Sequence, residues 1–389
     1  MLQNYSFFGL KIQIKAIKWL LLPIMKGSGK IRVLLGMSGG IDSTAAVLLL
    51  QNAGYEVVGL TIRNHDIGLK DTETEPRYVL EARAVAAKLG VEHYVEDARA
   101  MFKQLVIDPF VQDWLNGRTP NPCIECNPRF KFHLLIQYAD RLGCKYIATG
   151  HYASIVEEDG YFYIERGADT KKDQSYFLWQ LSQEVLSRTL FPLGRLSKDD
   201  VREVLRQNGL QLKASDSESM EVCFIEDDYR AFLKRELPNI DTELVGNGKF
   251  VDKGGRLIGE HKGYPYYTIG QRKGLVVAFG TPKYVLRTNP EKNTVMLGDA
   301  EDLLTGYMLV DNLRLSCMDS NSLTVRIRYR SSAIPCTVEQ QVPDGKWLIR
   351  FKEQASAVTP GQSAVFYIGN RVVGGAIISS QKGINQYIS

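Results

Sequence analysis

The stretch Leu34–Leu50 reads LLGMSGGIDSTAAVLLL. A short apolar run breaks into Ser38, Gly39 and Gly40, passes Asp42 and Ser43, and resumes with helical character. Glycines let a backbone approach an anion closely, and Ser38 and Ser43 add hydroxyl donors. The first N–H groups of the following helix point at the same spot, where the helix dipole also favours negative charge. This is not the GxxxxGKS/T loop that grips a γ-phosphate, because no lysine follows the glycines.

Working outward, apolar strands are expected at Ile31–Leu35, Val57–Ile62 and Tyr146–Thr149, with a weaker candidate at Val91–Val95. Helices are expected between them, at Ser43–Ala53, Arg77–Leu89 and Arg129–Leu142. Strands alternating with helices imply right-handed crossovers, hence an α/β fold with a doubly wound parallel sheet. Further on, EEDGYF predicts a hairpin with Asp159-Gly160 at its tip. SKDDVREVLRQNG predicts a helix with Ser197 as N-cap, Asp200 at the capping-box position and Gly209 as its stop. After about Asp228 the chain turns to short strands and glycine-rich turns. Four regions are expected: an extension over 1–30, a catalytic domain over 31–228, a small central β-rich domain over 229–290 and a C-terminal β-barrel over 291–389.

A chain of 389 residues with 44% hydrophobic and 24% charged residues is an ordinary globular protein of more than one domain. The 48 basic residues include five lysines in the first 30 positions, where there is no acid, so beyond them 43 basic stand against 44 acidic residues. Bulk charge therefore makes no case for nucleic acid, and any basic footprint must be local. In the first 30 residues the longest apolar run, Trp19–Met25, is too short to span a bilayer. We expect that segment to be disordered or to reflect a start placed too early, with Met25 as the true start. The six cysteines are sparse and scattered, which points away from a secreted disulfide framework and towards a reducing cytoplasm.

GRTPNPCIECNPRFKF is the second informative stretch. Prolines bracket Asn121, and a rigid loop presents Cys123 and Cys126 ahead of a helix, a position that lowers a thiol pKa. Cys223 lies far along the chain, in SMEVCFIED. Three readings compete here: buried small hydrophobes, a structural zinc site on Cys123, Cys126, Cys223 and one histidine, and thiol chemistry. Cys144, Cys317 and Cys336 lie in helical or strand patterns that suit packing. TVRIRYR is expected as a strand whose Arg326, Arg328 and Arg330 share one face and grip phosphates, with a solvated edge strand as the alternative.

SGGIDS resembles the PP-loop of ATP pyrophosphatases, which cleave ATP between its α- and β-phosphates and adenylate a substrate. Taken with GRTPNPCIECN, ATGHYA, KKDQSYFLWQLS, VCFI, GEHKGYPYYTIGQRKGL, RYRSSAIPCTV and VTPGQSAVFY, in this order, the sequence resembles the tRNA-specific 2-thiouridylases, the MnmA family. The resemblance implies that Gly36, Met37, Ser38, Gly39, Gly40, Ile41, Asp42 and Ser43 cradle the pyrophosphate end of ATP. Asp42 would help hold Mg²⁺, and adenine would lie near Ile62 and Gly150. Cys126 matches the family's nucleophile and Cys223 its persulfide carrier. Asn121, Pro122 and Cys123 match the loop that touches the target base. Lys172, Asp173 and Gln174, with Arg328, Tyr329 and Arg330, match segments that contact tRNA.

The implied partners are tRNA, at the wobble uridine of the anticodon loop, and a sulfur-donor protein such as a cysteine desulfurase or sulfur relay protein. No membrane is implied. Best-known members carry Asp where this chain has Cys123. The substitution leaves two readings: a spare or resolving thiol, or a third ligand, beside Cys126 and Cys223, of a 4Fe-4S cluster. Tyr264, Tyr266 and Tyr267 either line a base pocket or pack in the β-rich region.

Overall fold

The computed structural model describes residues 30–70, 72–216, 222–226, 228–275, 281–316 and 322–388. Almost all of the N-terminal extension, and Cys317, lie outside them. The chain forms two compact units. One holds the described residues of Met1–Leu105, Cys123–Glu226 and Asn370–Val372; the other holds those of Val106–Pro122, Asp227–Gly369 and Val373–Ser389.

The first unit is built on a five-stranded sheet in the order β3-β2-β1-β4-β7. Its strands are β1 (Arg32–Gly36), β2 (Glu56–Arg63), β3 (Glu92–Asp97), β4 (Tyr146–Ala148) and β7 (Thr189–Leu190), and every pairing is parallel. The expected doubly wound sheet is present. Val33, Leu34 and Leu35 have no exposed surface, as befits a central parallel strand covered on both faces. Val33 and Leu35 share one core with helices α1 (Ile41–Asn52), α2 (Arg77–Lys88) and α5 (Lys198–Gln207).

The Asp159-Gly160 hairpin joins β5 (Ala153–Glu158) to β6 (Tyr161–Arg166), with both tip residues at positive φ, 52° and 79°. Helix α5 carries both capping-box bonds between Ser197 and Asp200, and Gly209 follows at φ 72°. The helix expected from Arg129 departs from its reading. A short helix α3 (Pro122–Cys126) runs into a widened turn, Asn127–Lys131, in which Phe132 N–H reaches back five residues to Asn127 O, and regular α4 is Phe132–Arg141. Pro128 supplies no N–H, which favours such a widening.

In the second unit, helices Asp108–Leu115 and Tyr229–Glu236 meet through Trp114 stacked on Tyr229, ring centroids 4.1 Å apart. A four-stranded sheet runs β10 (Tyr284–Asn289), β11 (Thr294–Gly298), β8 (Gly248–Val251), β9 (Leu257–His261). Six strands then form a barrel: β12 (Leu304–Leu315), β15 (Trp347–Ser356), β14 (Ile334–Gln341), β13 (Leu323–Arg326), β16 (Ser363–Ile368) and β17 (Arg371–Ile378). Pairing of β17 with β12, Val310 opposite Ile378, closes it. Val310, Val325, Ile349 and Phe366 fill the interior. Among the described residues no helix is long and apolar enough to cross a membrane.

Candidate active site

β1 ends at Gly36 and α1 begins at Ile41, so Met37–Gly40 form the whole turn. Met37 N–H donates to Leu60 O at 2.8 Å and Thr61 Oγ1 donates to Met37 O at 2.8 Å, which ties the turn to β2. Gly39 sits at φ 72°, and a Cβ there would lie 2.7 Å from Ala82 N, so only glycine fits. Ser38 N–H donates to Ser43 Oγ at 3.3 Å. No side chain caps α1 at Gly40, which leaves its first amides turned to the space above the loop. Ile62 is half-buried on β2. Gly150 follows β4 so closely against α1 that a Cβ would come 3.0 Å from the Asp42 carbonyl carbon.

Asp42 Oδ1 accepts two hydrogen bonds, from Tyr152 OH and from Lys198 Nζ, each at 2.7 Å. Its Oδ2 takes no partner among the described residues. Sequence reasoning missed both donors. Tyr152 stood in the quoted ATGHYA, while Lys198 carried no signal beyond opening a capped helix.

The segment Lys172, Asp173, Gln174 supports these groups. Asp173 is 2% exposed, and its carboxylate accepts from Gly167 N–H, Ser175 N–H and Arg166 Nε. A carboxylate so enclosed shapes its own turn. Gln174 exchanges two bonds with the Tyr152 backbone, at 2.9 and 3.0 Å. Asp169 accepts from Lys172 N–H and from Lys198 N–H, which fixes the start of α5. Lys172 itself is half-buried.

The three cysteines also come together. Cys123 and Cys126 lie on α3, with Cys223 in a loop, and all three are free thiols. Burial pushes the Cys126 thiol up to about 12, with Lys131 opposing and the Cys223 and Cys123 sulfurs adding to the rise. Burial likewise pushes Cys223 up to about 11, with Cys123 adding to the rise, while Lys131 and an Asn64 Nδ2 hydrogen bond at 3.8 Å hold it back. Cys123 rises for the same first reason, again against Lys131. The expected lowering at a helix start is therefore reversed, because desolvation of a thiolate outweighs a short helix dipole. The widened turn puts Lys131 within electrostatic reach of all three sulfurs.

Among the described residues no three Cys, His, Asp or Glu side chains stand round a common point as metal ligands must. Neither the zinc site nor the 4Fe-4S site on Cys123, Cys126 and Cys223 finds a fitting donor set. Cys144 and Cys336 are buried, as their packing role requires. Next to Cys223, burial lowers the pKa of His65, and its Nδ1 has no partner among the described residues.

In the second unit the arginine strand is corrected. β13 stops at Arg326, so the alternation that would align Arg326, Arg328 and Arg330 is not there. Arg326 is 8% exposed and caps the following turn through Ser331 O and Tyr329 O. Arg328 donates to Ile269 O, Ala357 O and Thr359 Oγ1. Both guanidinium groups are occupied by internal carbonyls; only Arg330 is exposed, beside a half-buried Tyr329. Tyr264, Tyr266 and Tyr267 are all buried, with Tyr266 OH donating to Asp241 Oδ1, as packing in the β-rich region requires. The loop ahead of Asn121 and Pro122 is pinned by Thr119 N–H to Pro360 O and by Gln362 Nε2 to Thr119 O, both at 2.9 Å.

Comparison with known proteins identifies the family. Residues 31–227 match the family model of the tRNA methyl transferase HUP domain. Residues 230–299 match the tRNA methyl transferase PRC-barrel domain, and 308–378 the aminomethyltransferase beta-barrel domain. The tRNA-specific 2-thiouridylase MnmA 3 of Phocaeicola vulgatus is 55% identical over 362 residues, covering 91% of this chain and 96% of its own. That of Bacteroides fragilis is 54% identical over 371 residues, covering 94% and 98%. The tRNA-specific 2-thiouridylase MnmA of Cytophaga hutchinsonii is 44% identical, covering 91% and 98%. A solved structure, the U34-tRNA thiolase NcsA from Methanococcus maripaludis with its 4Fe-4S cluster, is 16% identical over 60% of this chain and 72% of its own, at a TM-score of 0.37. That likeness is too distant to carry an argument. With three domain models matched in sequence order and identity above one half across 91% of its length, the chain belongs to the tRNA-specific 2-thiouridylase family, MnmA.

Proposed function

We propose that this protein is an ATP-dependent tRNA 2-thiouridylase that replaces the C2 oxygen of the wobble uridine with sulfur, in a cytoplasmic setting. One observation carries the reading. A single compact unit joins an anion-binding loop to the thiols of Cys126 and Cys223, which are 97 residues apart in sequence yet within electrostatic reach of each other.

The chemistry needs both parts. Oxide is too poor a leaving group to depart from a urea-like carbon, so the C2 oxygen first attacks the α-phosphorus of ATP. The bond to the β-phosphate breaks and pyrophosphate leaves, its charge met by the α1 amides and the loop hydroxyls. Mg²⁺, when bound, neutralises phosphate charge. Asp42 suits it, with one oxygen anchored by Tyr152 and Lys198 and the other open, since Mg²⁺ on ATP needs few protein carboxylates. A persulfide on Cys223 then attacks C2, and AMP departs with the oxygen. Cys126 attacks the Cys223 sulfur of the resulting mixed disulfide. The electron pair passes to the sulfur on C2, giving 2-thiouridine and a Cys126–Cys223 disulfide, which an external thiol reduces. Lys131 is the cation placed to favour the thiolate each attack requires. The target base leaves its stack to reach this chemistry. Asn121, Pro122 and Cys123 belong to this proposal as base-contacting residues, and Lys172 and Arg330 as tRNA contacts. The sulfur enters from a donor such as a cysteine desulfurase or relay protein.

The test is turnover with ATP, a persulfide donor and tRNA lacking the wobble modification. AMP and pyrophosphate should form only when tRNA is present, in step with 2-thiouridine. ATP cleavage that ignores tRNA would overturn the reading.

A further inference from the structure

Between Arg32 and Arg63 the sequence contains no lysine or arginine, so the loop that meets several phosphate charges carries no cation of its own and one acid, Asp42. A cation is nevertheless present. Lys198, 156 residues later in sequence, reaches Asp42 Oδ1 at 2.7 Å with 11% of its side chain exposed, and its ammonium lies 5.7 Å from the Tyr152 ring centroid. A lysine this deeply placed is rare unless paired, because removing its charge from water costs several kcal/mol.

Its position is fixed from several directions. The capping box of Ser197 and Asp200 sets the first turn of α5, and Asp169 holds the Lys198 amide at 3.1 Å. Val201, Val204 and Leu205 anchor the helix in the core that α1 shares. We infer that Lys198 is the phosphate-binding cation of this loop, contacting the β- and γ-phosphates of ATP, the pair that leaves as pyrophosphate.

The inference deepens the ATP-cleaving reading of the loop and rests on it. Before nucleotide binds, the Asp42 carboxylate holds the ammonium in place at 2.7 Å. When phosphates arrive beside Asp42, they accept from the same ammonium, and the lysine neutralises charge as the α–β bond breaks. The competing role is purely supportive, with Lys198 doing no more than orienting Asp42.

Binding of inorganic pyrophosphate to the full chain in EDTA separates the two, since without divalent metal the Asp42 carboxylate can only repel the ligand. The D42N variant should bind pyrophosphate at least as tightly as wild type, because the lysine loses its competitor. K198M should bind it at least about tenfold more weakly, the size expected for one lost charge-assisted contact, with AMP affinity unchanged. The double variant D42N/K198M leaves no buried charge unpaired and guards against misfolding of K198M. It should fall below D42N by the same factor. Equal pyrophosphate binding by D42N and the double variant would overturn the inference, and so would a loss in D42N as large as that in K198M. The measurement needs neither tRNA nor sulfur, so its failure and failure of the thiolation reading are distinguishable.

Discussion

The phosphate loop and the cysteine site sit in the same unit and are built in opposite ways. The loop comes from contiguous residues that are fixed in place before any ligand arrives. Ser38 bonds Ser43, the turn is tied to β2, and Asp42 is anchored by two donors. The cysteine site gathers residues far apart in sequence, raises their thiol pKa values, and provides one shared cation, Lys131. An anion site gains from dipoles fixed in advance, because no reorganisation is needed when charge arrives. A thiol site gains from the reverse. Thiols whose pKa is raised stay protonated and slow to react with oxidants until substrate and sulfur enter. The difference accounts for the order of the proposed steps, activation first and sulfur second.

If the two ends are separable in this way, the largest effect comes from the sulfurs. Cys126→Ser and Cys223→Ser should each abolish 2-thiouridine formation, because a serine oxygen neither carries a persulfide nor attacks one. Both should still release one equivalent of pyrophosphate per site in a single tRNA-dependent turnover. Loss of that burst in either variant would break the comparison by making the loop depend on the thiols. A smaller effect is expected at the other end. Tyr152→Phe removes one hydrogen bond to Asp42 and should weaken ATP binding by about 1 kcal/mol, roughly fivefold. Reactivity of the thiols should not change, as titration with an alkylating reagent would show.

The same contrast explains what was legible in the sequence. β1 reads as an apolar run because a parallel strand is covered on both sides, and the Asp159-Gly160 turn and the caps of α5 are set by neighbours in sequence. The phosphate loop is legible for the same reason, since strand, turn and helix follow one another. Lys198 was invisible, because only the packing of α5 on α1 carries it to Asp42. Arg326 and Arg328 misled in the opposite sense. Their spacing fits a strand face, but β13 ends at Arg326, and the carbonyls of Tyr329, Ile269 and Ala357 accept from the guanidinium groups. The enclosure of Asp173 was not legible either, because three internal donors converge on it only in the folded turn. The thiol pKa shifts were misjudged because a motif shows a helix start and does not show burial.

The smallest and most direct measurement addresses those shifts. An ordinary cysteine titrates near about 8.5. With folded values of about 11 for Cys223 and about 12 for Cys126, the thiolate is scarce at neutral pH. Iodoacetamide should therefore label both slowly at pH 7, even though Cys223 is an exposed residue, and the rate should keep rising with pH past the point where a free thiol levels off. The sign of the linkage follows. A folded pKa raised above the unfolded one contributes stability that is complete below the unfolded value and is lost as pH rises through the folded values, so the protein should weaken on the alkaline side, from about 8.5 towards 11 and 12. Lys131→Met removes the cation that opposes burial at all three sulfurs and should slow labelling of Cys126 and Cys223 a few-fold further at a given pH, without altering pyrophosphate binding at the loop. Labelling of Cys223 at pH 7 as fast as free cysteine would mean its thiolate is already present in the resting protein, and the contrast between a ready phosphate end and a latent sulfur end would fall.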